Sequence, residues 1–151
     1  MKLNINNEDF EFYGDQKTSL LIFLRDQLSM TGTKGVCSEG FCGSCTVHID
    51  GKPALSCLTP VGVLAEKKIR TIEGVGSLDN LNIVQRAFKS YDVVQCGMCF
   101  PGIVMTFTSF LEENANPTRH ELKKAMVGNL CRCTGYERII DALMSIKEKM
   151  E

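Results

Sequence analysis

The chain has no tryptophan, only two histidines and almost no net charge: 17 basic against 18 acidic side chains leave a formal −1 at pH 7. So even a balance supplies no strong overall field and argues against a dominant nucleic-acid surface. No apolar run approaches the ~18 residues of a membrane-crossing helix, so no span is expected. The opening segment, Met1 to Asp9, lacks both the apolar stretch of a secretory leader and a twin-arginine pair. A reducing cytoplasm is therefore the expected compartment. Internal repeats and low-complexity tracts are missing too, which excludes solenoids and long disordered segments. What remains is a chain of 151 residues, 44% apolar, able to bury one ordinary core or two small ones.

What is abundant is cysteine, with eight residues. An even count permits a disulfide scaffold, but such scaffolds belong to secreted, core-poor chains. Cysteine as a metal ligand is the better reading.

The apolar pattern changes period part-way along the chain. Leu3 and Ile5, then Phe10 and Phe12, alternate around Asn6-Asn7-Glu8 and predict a hairpin. Thr18 or Ser19 caps a predicted helix carrying Leu20, Leu21, Leu24 and Leu28. A glycine-rich loop from Lys34 to Cys45 leads to Thr46-Val47-His48-Ile49, a tight turn at Asp50-Gly51, and a return strand with Cys57 at its end. Ile69 to Ile72 supplies the last strand. The glycine-bearing connector Glu73 to Ser77 then divides the chain into residues 1–77 and 78–151.

Beyond the connector the period is helical. Leu81, Val84, Gln85 and Phe88 predict a short helix, and Pro101 opens another over Gly102 to Glu113. Thr118-Arg119-His120-Glu121 is a capping box for a third. Ile139, Ile140, Leu143 and Ile146 form the inward stripe of a fourth, and Lys147 to Glu151 reads as its solvated end. The expected class is α+β, a strand-rich half followed by a small helical bundle.

Each half holds four cysteines. Cys37, Cys42, Cys45 and Cys57 follow C-x4-C-x2-C-x11-C, whose first three members have the plant-type ferredoxin spacing for a 2Fe-2S cluster. Two irons, each with two thiolates besides the bridging sulfides, require four cysteines. Gly35, Gly40 and Gly43 let the loop curl closely and turn amide hydrogens toward sulfur. The second set, Cys96, Cys99, Cys131 and Cys133, reads C-x2-C-x31-C-x-C, with one pair at the start of a predicted helix and the other just before a second. Two helix N-termini facing one anionic cluster suit each other in charge. Zinc also accepts four thiolates and is the alternative for this set.

Three segments carry a family resemblance over essentially the whole chain: Gly40-Phe41-Cys42-Gly43-Ser44-Cys45-Thr46-Val47, Gln95-Cys96-Gly97-Met98-Cys99-Phe100-Pro101-Gly102 and Gly128-Asn129-Leu130-Cys131-Arg132-Cys133-Thr134-Gly135-Tyr136. With them the sequence resembles the small iron-sulfur subunit of the molybdenum hydroxylases, the xanthine dehydrogenase and carbon monoxide dehydrogenase family. The resemblance implies a ferredoxin-like β-grasp domain and a C-terminal four-helix bundle, each with a 2Fe-2S cluster. It implies a large molybdopterin-binding partner subunit and a medium FAD-binding one in a hetero-oligomer, with single electrons passing from molybdopterin through both clusters to FAD. No substrate-converting site is expected in this chain; the family's breadth gives a purine or another nitrogen heterocycle as the expected substrate of the assembled enzyme, with carbon monoxide, aldehydes and aromatic thioesters as alternatives. By the same resemblance Gln95 lies near the pterin, and Cys133 both ligates iron and bonds the pterin.

The chain departs from the family pattern at Phe41, Ser44, Met98 and Phe100, and Phe41 and Phe100 are candidates to cover an apolar partner surface. His48 and His120 lack a second ligand at metal spacing and read as packing or surface residues. Gly74-Val75-Gly76 lacks the third glycine of a dinucleotide fingerprint and reads as linker. A freestanding ferredoxin-like carrier and a zinc-stabilised interaction module are the competing classes.

Overall fold

The computed structural model describes residues 1–148. The expected charged helix end at Lys147 to Glu151 lies largely outside the described residues. Five strands form one mixed sheet, and five helices follow or flank it.

The first hairpin joins β1 (Lys2–Ile5) to β2 (Glu8–Glu11) with Ile5 opposite Glu8, so Asn6 and Asn7 alone make the turn. Both have positive φ, 53° and 67°, the left-handed pair a two-residue hairpin needs and asparagine tolerates. The second hairpin joins β3 (Thr46–Ile49) to β4 (Lys52–Leu55) through Asp50-Gly51 in the same conformation. β5 (Lys68–Arg70) lies between them, parallel to β1 and antiparallel to β3, giving the order β2-β1-β5-β3-β4. The last strand is shorter than Ile69–Ile72 predicts: Thr71 leaves the ladder to exchange hydrogen bonds with Asn6, and Ile72 begins a short 3-10 turn.

Ser19 caps α1 (Leu20–Ile22), accepting from the Ile22 amide. The expected helix does not continue regularly: Phe23–Gln27 is wound as a π-helical turn, with the Leu28 amide donating to the Phe23 carbonyl. This extra residue per turn keeps Leu20, Phe23 and Leu24 on the sheet face, where they pack with Leu3, Ile5, Val47 and Ile69.

The other face of the sheet meets the helical half. Four helices follow: α2 (Ile83–Ser90), α3 (Phe100–Glu113), α4 (Arg119–Ala125) and α5 (Glu137–Glu148). α2 starts later than predicted, because Asn82 and Gln85 form a reciprocal capping box and leave Leu81 outside. Thr118 and Glu121 cap α4 in the same way. α2 packs on α3 and α5, and α4 on α3 and α5, around a core that includes Phe107, Leu122 and Ile139. Val75 belongs to that core although it precedes the break expected after Ser77.

Strand alternation decides how the halves meet. Val47 faces the sheet core, so His48 points oppositely, toward α3. It is 1% exposed, and its Nε2 lies 2.7 Å from the Met105 carbonyl oxygen. Arg70 reaches Glu112, and Ser109 donates to the Gly51 carbonyl.

Candidate iron-sulfur centres

The first cysteine set surrounds the loop that enters β3. Gly40 and Gly43 take left-handed backbone, φ +83° and +72°, while Gly35 does not. Gly43 has a second reason to lack a side chain, since a Cβ there would lie 2.2 Å from the Gly128 carbonyl oxygen. The hairpin register, Thr46 opposite Leu55, carries Cys45 and the following turn together. Ser56 locks them by donating both its amide and its hydroxyl to the Cys45 carbonyl, 3.2 and 2.8 Å. Cys57 therefore stands just past the strand end, beside Cys45.

Sulfur positions in this set fall into pairs. Cys42 acts on the Cys37 thiol and Cys45 on the Cys57 thiol, which groups the four residues two by two. The amides of Glu39 and Cys42 donate to Cys37 Sγ, both at 3.4 Å. Led by the Glu39 amide and then the Cys42 amide, these donors hold the Cys37 thiol down at about 6, where the thiolate prevails at neutral pH. Burial, then the Cys45 thiol, pushes Cys57 up to about 11, with the Gly40 amide acting against it. The turned-in amides expected from the glycine pattern are thus supplied by Glu39, Gly40 and Cys42.

The second set comes from two helix ends. Cys99 is the residue immediately before α3, with Pro101 in the first turn, and Cys96 lies one loop residue group earlier. Cys131 and Cys133 stand in the turn before α5. Again the thiols pair, Cys99 with Cys131 and Cys96 with Cys133. Burial, then Cys131, pushes the Cys99 thiol up to about 12. Cys131 goes the other way: burial alone would raise it, but the Thr134 hydroxyl, 3.1 Å from its Sγ, and the amides of Thr134 and Cys133 outweigh burial. The Cys133 thiol is raised chiefly by Cys96.

Burial divides each set. Cys42, Cys45, Cys99 and Cys131 are buried, Cys37 and Cys57 are half-buried, and Cys96 and Cys133 are exposed. Gln95 is exposed beside Cys96. Around the first set, Val36, Phe41 and Leu58 stand out into solvent, Phe41 at 72%. Around the second, Val94, Met98 and Leu130 do the same. Phe100 does not join them: contrary to expectation it is buried, edge-on to Phe88 at 5.2 Å between ring centroids. As the first residue of α3 it turns into the helical core, which explains an aromatic there without a partner.

The donor sets fit dinuclear iron-sulfur centres. A zinc site needs four donors around one point and a dinuclear iron-sulfur centre needs two thiolates on each iron, and both chemistries use cysteine. Two thiol pairs per site match two irons with two thiolates each. Sequence reading missed three participants: Thr134 as a donor to sulfur, Tyr136, whose hydroxyl accepts the Cys131 amide at 3.1 Å, and Asn129, buried against the first loop. All three lie in or beside the third family segment, but only the fold assigns them partners.

Comparison with known proteins accounts for both halves. Residues 10–88 match a 2Fe-2S iron-sulfur cluster binding domain, and residues 71–144 match a 2Fe-2S binding domain. The small FeS subunit of nicotinate dehydrogenase from Eubacterium barkeri is 39% identical over 99% of this chain and 95% of its own. The chain belongs to the small iron-sulfur subunits of the molybdenum hydroxylase family. Members of this family are subunits or segments of oxidoreductases. Quinoline 2-oxidoreductase from Pseudomonas putida 86 contains a chain with the same fold, at a TM-score of 0.92 and 42% identity, covering 98% of this chain and 93% of that one. The xanthine dehydrogenase/oxidase of Mus musculus is 41% identical over 83% of this chain, which corresponds to 10% of its length. In the family the same unit thus occurs both as a separate subunit and as a segment of a much longer polypeptide. No helix among the described residues is long and apolar enough to cross a membrane.

Proposed function

We propose that the chain is the electron relay of a molybdenum hydroxylase, passing single electrons from molybdopterin in a large partner subunit to FAD in a medium partner subunit. In this reading Cys37, Cys42, Cys45 and Cys57 hold one 2Fe-2S cluster, and Cys96, Cys99, Cys131 and Cys133 hold the second. When bound, each cluster supplies one-electron chemistry at a potential that its hydrogen bonds and burial tune. Residues 1–77 act as a β-grasp ferredoxin-like unit and residues 78–151 as a four-helix-bundle unit. The observation that carries the reading is the pairing of four sulfurs in each half, with the two loops in direct contact.

The chain's own residues have distinct tasks. Amides of Glu39 and Cys42, and the Thr134 hydroxyl, donate to sulfur and stabilise its negative charge. Cys96, Cys133 and Gln95 are exposed together at the second site, which supports Gln95 and Cys133 as the residues facing the pterin. The apolar rim of Val36, Phe41 and Leu58 supports docking of the flavin subunit at the first. The hetero-oligomer is cytoplasmic in this reading, since cysteines kept as thiolate ligands suit a reducing compartment. Relatives named for nicotinate, caffeine and quinoline support a nitrogen heterocycle, purines included, as the substrate of the assembled enzyme.

Anaerobic purification from the native source tests this. The expected result is about four irons and four acid-labile sulfides per chain, two distinct electron paramagnetic resonance signals on reduction, and copurifying molybdenum and flavin subunits. A colourless chain with stoichiometric zinc, or an active chain isolated without partners, defeats the proposal.

A further inference from the structure

The turn that carries Cys131 closes a small ring of hydrogen bonds on itself. The Cys131 amide donates to the Tyr136 hydroxyl at 3.1 Å. The Tyr136 amide donates to Thr134 Oγ1 at 3.2 Å, and that hydroxyl donates to Cys131 Sγ at 3.1 Å. A threonine hydroxyl has one proton to give. With the Tyr136 N–H set against its oxygen, that proton is left to point at sulfur. The backbone is shaped for this arrangement: Gly135 and Tyr136 are successive left-handed residues, φ +69° and +70°, and a bulky aromatic residue takes that conformation only where its surroundings hold it. Tyr136 is held at its ring by the Cys131 amide and at its carbonyl by the start of α5, where the Ile140 amide donates to it at 3.1 Å. Cys131 is 6% exposed, so little water competes for its sulfur.

We propose that Thr134 sets the reduction potential of the helical-half centre, with Tyr136 as the positioning residue that aims its hydroxyl. The inference rests on the electron-relay reading above. Taking up one electron from molybdopterin reduces one iron by one unit and adds one negative charge to the centre; the hydroxyl proton stays on its oxygen and no bond breaks. A donor aimed at a ligating sulfur stabilises that added charge, and a buried setting enlarges the effect because solvent does not screen it. The Thr134 hydroxyl therefore raises the potential of this centre and makes it the readier electron acceptor.

The first centre has no counterpart. The amides of Glu39 and Cys42 donate to Cys37 Sγ at 3.4 Å, and among the described residues no hydroxyl donates to a sulfur of that set. At Cys131 a hydroxyl is added to the amides of Cys133 and Thr134. An amide survives a change of side chain, whereas this hydroxyl is one substitution away from loss. The helical centre is thus adjustable by sequence without altering the loop centre.

The test uses the full chain carrying both clusters, reduced stepwise with dithionite and mediators while each cluster's electron paramagnetic resonance signal is followed against the applied potential. Thr134→Val removes the hydroxyl at nearly constant shape, and Thr134→Ser keeps it. In Thr134→Val the reduction equilibrium of the helical centre is expected to fall about tenfold, ~59 mV for a one-electron couple. Iron, sulfide and the midpoint of the loop centre should stay unchanged, and Thr134→Ser should stay close to wild type. Tyr136→Phe keeps the amide but frees the turn, so it should shift the helical midpoint the same way by less; no shift there removes the positioning role. A wild-type helical midpoint in Thr134→Val overturns the proposal, as does an equal shift of both centres, which marks a general change of structure. Where Thr134→Val fails to hold the helical cluster, Thr134→Ala is measured instead; loss of the cluster in both makes the hydroxyl an assembly group and overturns the proposal too. A wild-type chain that binds no clusters overturns the relay reading itself, at the first iron assay and before any midpoint is measured.

Discussion

The two cysteine sets reach similar four-sulfur arrangements by unequal means. The first spans Cys37 to Cys57 and is assembled by one loop and one hairpin, its geometry fixed by left-handed glycines and by Ser56 clasping the Cys45 carbonyl. The second gathers Cys96 and Cys99 with Cys131 and Cys133 only because α3, α4 and α5 pack together. One site is thus a product of local turns, the other of tertiary packing. Their charge environments differ as well: amide donors dominate at Cys37, burial at Cys99.

Removing single ligands should divide the sites most sharply. Cys42→Ser is expected to abolish the resonance signal of the loop centre and preserve much of the other, and Cys99→Ser the reverse; loss of neither signal breaks the assignment. A core truncation comes next. Leu122 is fully buried among the helices, so Leu122→Ala should cost about 2 to 5 kcal/mol. Chemical denaturation followed spectroscopically should then release the helical centre at lower denaturant than the loop centre, whereas joint release would mean that the packing distinction is wrong.

The smallest effect concerns cluster-free protein. Thiolates alkylate and thiols do not, so Cys37, held at about 6, should label readily from near-neutral pH upward and progressively less below its pKa. Cys99, pushed up to about 12 and 7% exposed, should stay unlabelled across that range. Peptide mass analysis of alkylation between pH 5 and pH 8 reads the order, and equal labelling of the two would remove the electrostatic contrast.

This contrast also explains what the sequence disclosed. The loop and hairpin that carry the first cysteine set were legible because their signals are local: Asp50-Gly51 and the glycine pattern act within a few residues. The elements of the helical half were legible through capping boxes and apolar stripes, although the Asn82–Gln85 box was overlooked and Leu81 misplaced. The π-helical turn at Phe23–Gln27 left no local sign, because it answers to the sheet beneath it. Phe100 was misjudged for a related reason. Position beside a cysteine suggests a surface, but the first turn of α3 rotates that residue inward against Phe88. Asn129, Thr134 and Tyr136 acquire partners only once loops distant in sequence meet.

The link from His48 to Met105 fastens the halves away from the connector, just beyond which Leu78 is 98% exposed. A protease nicking the backbone beside Leu78 would leave two fragments clasped in their original orientation, and the same architecture could be encoded as two separate polypeptides.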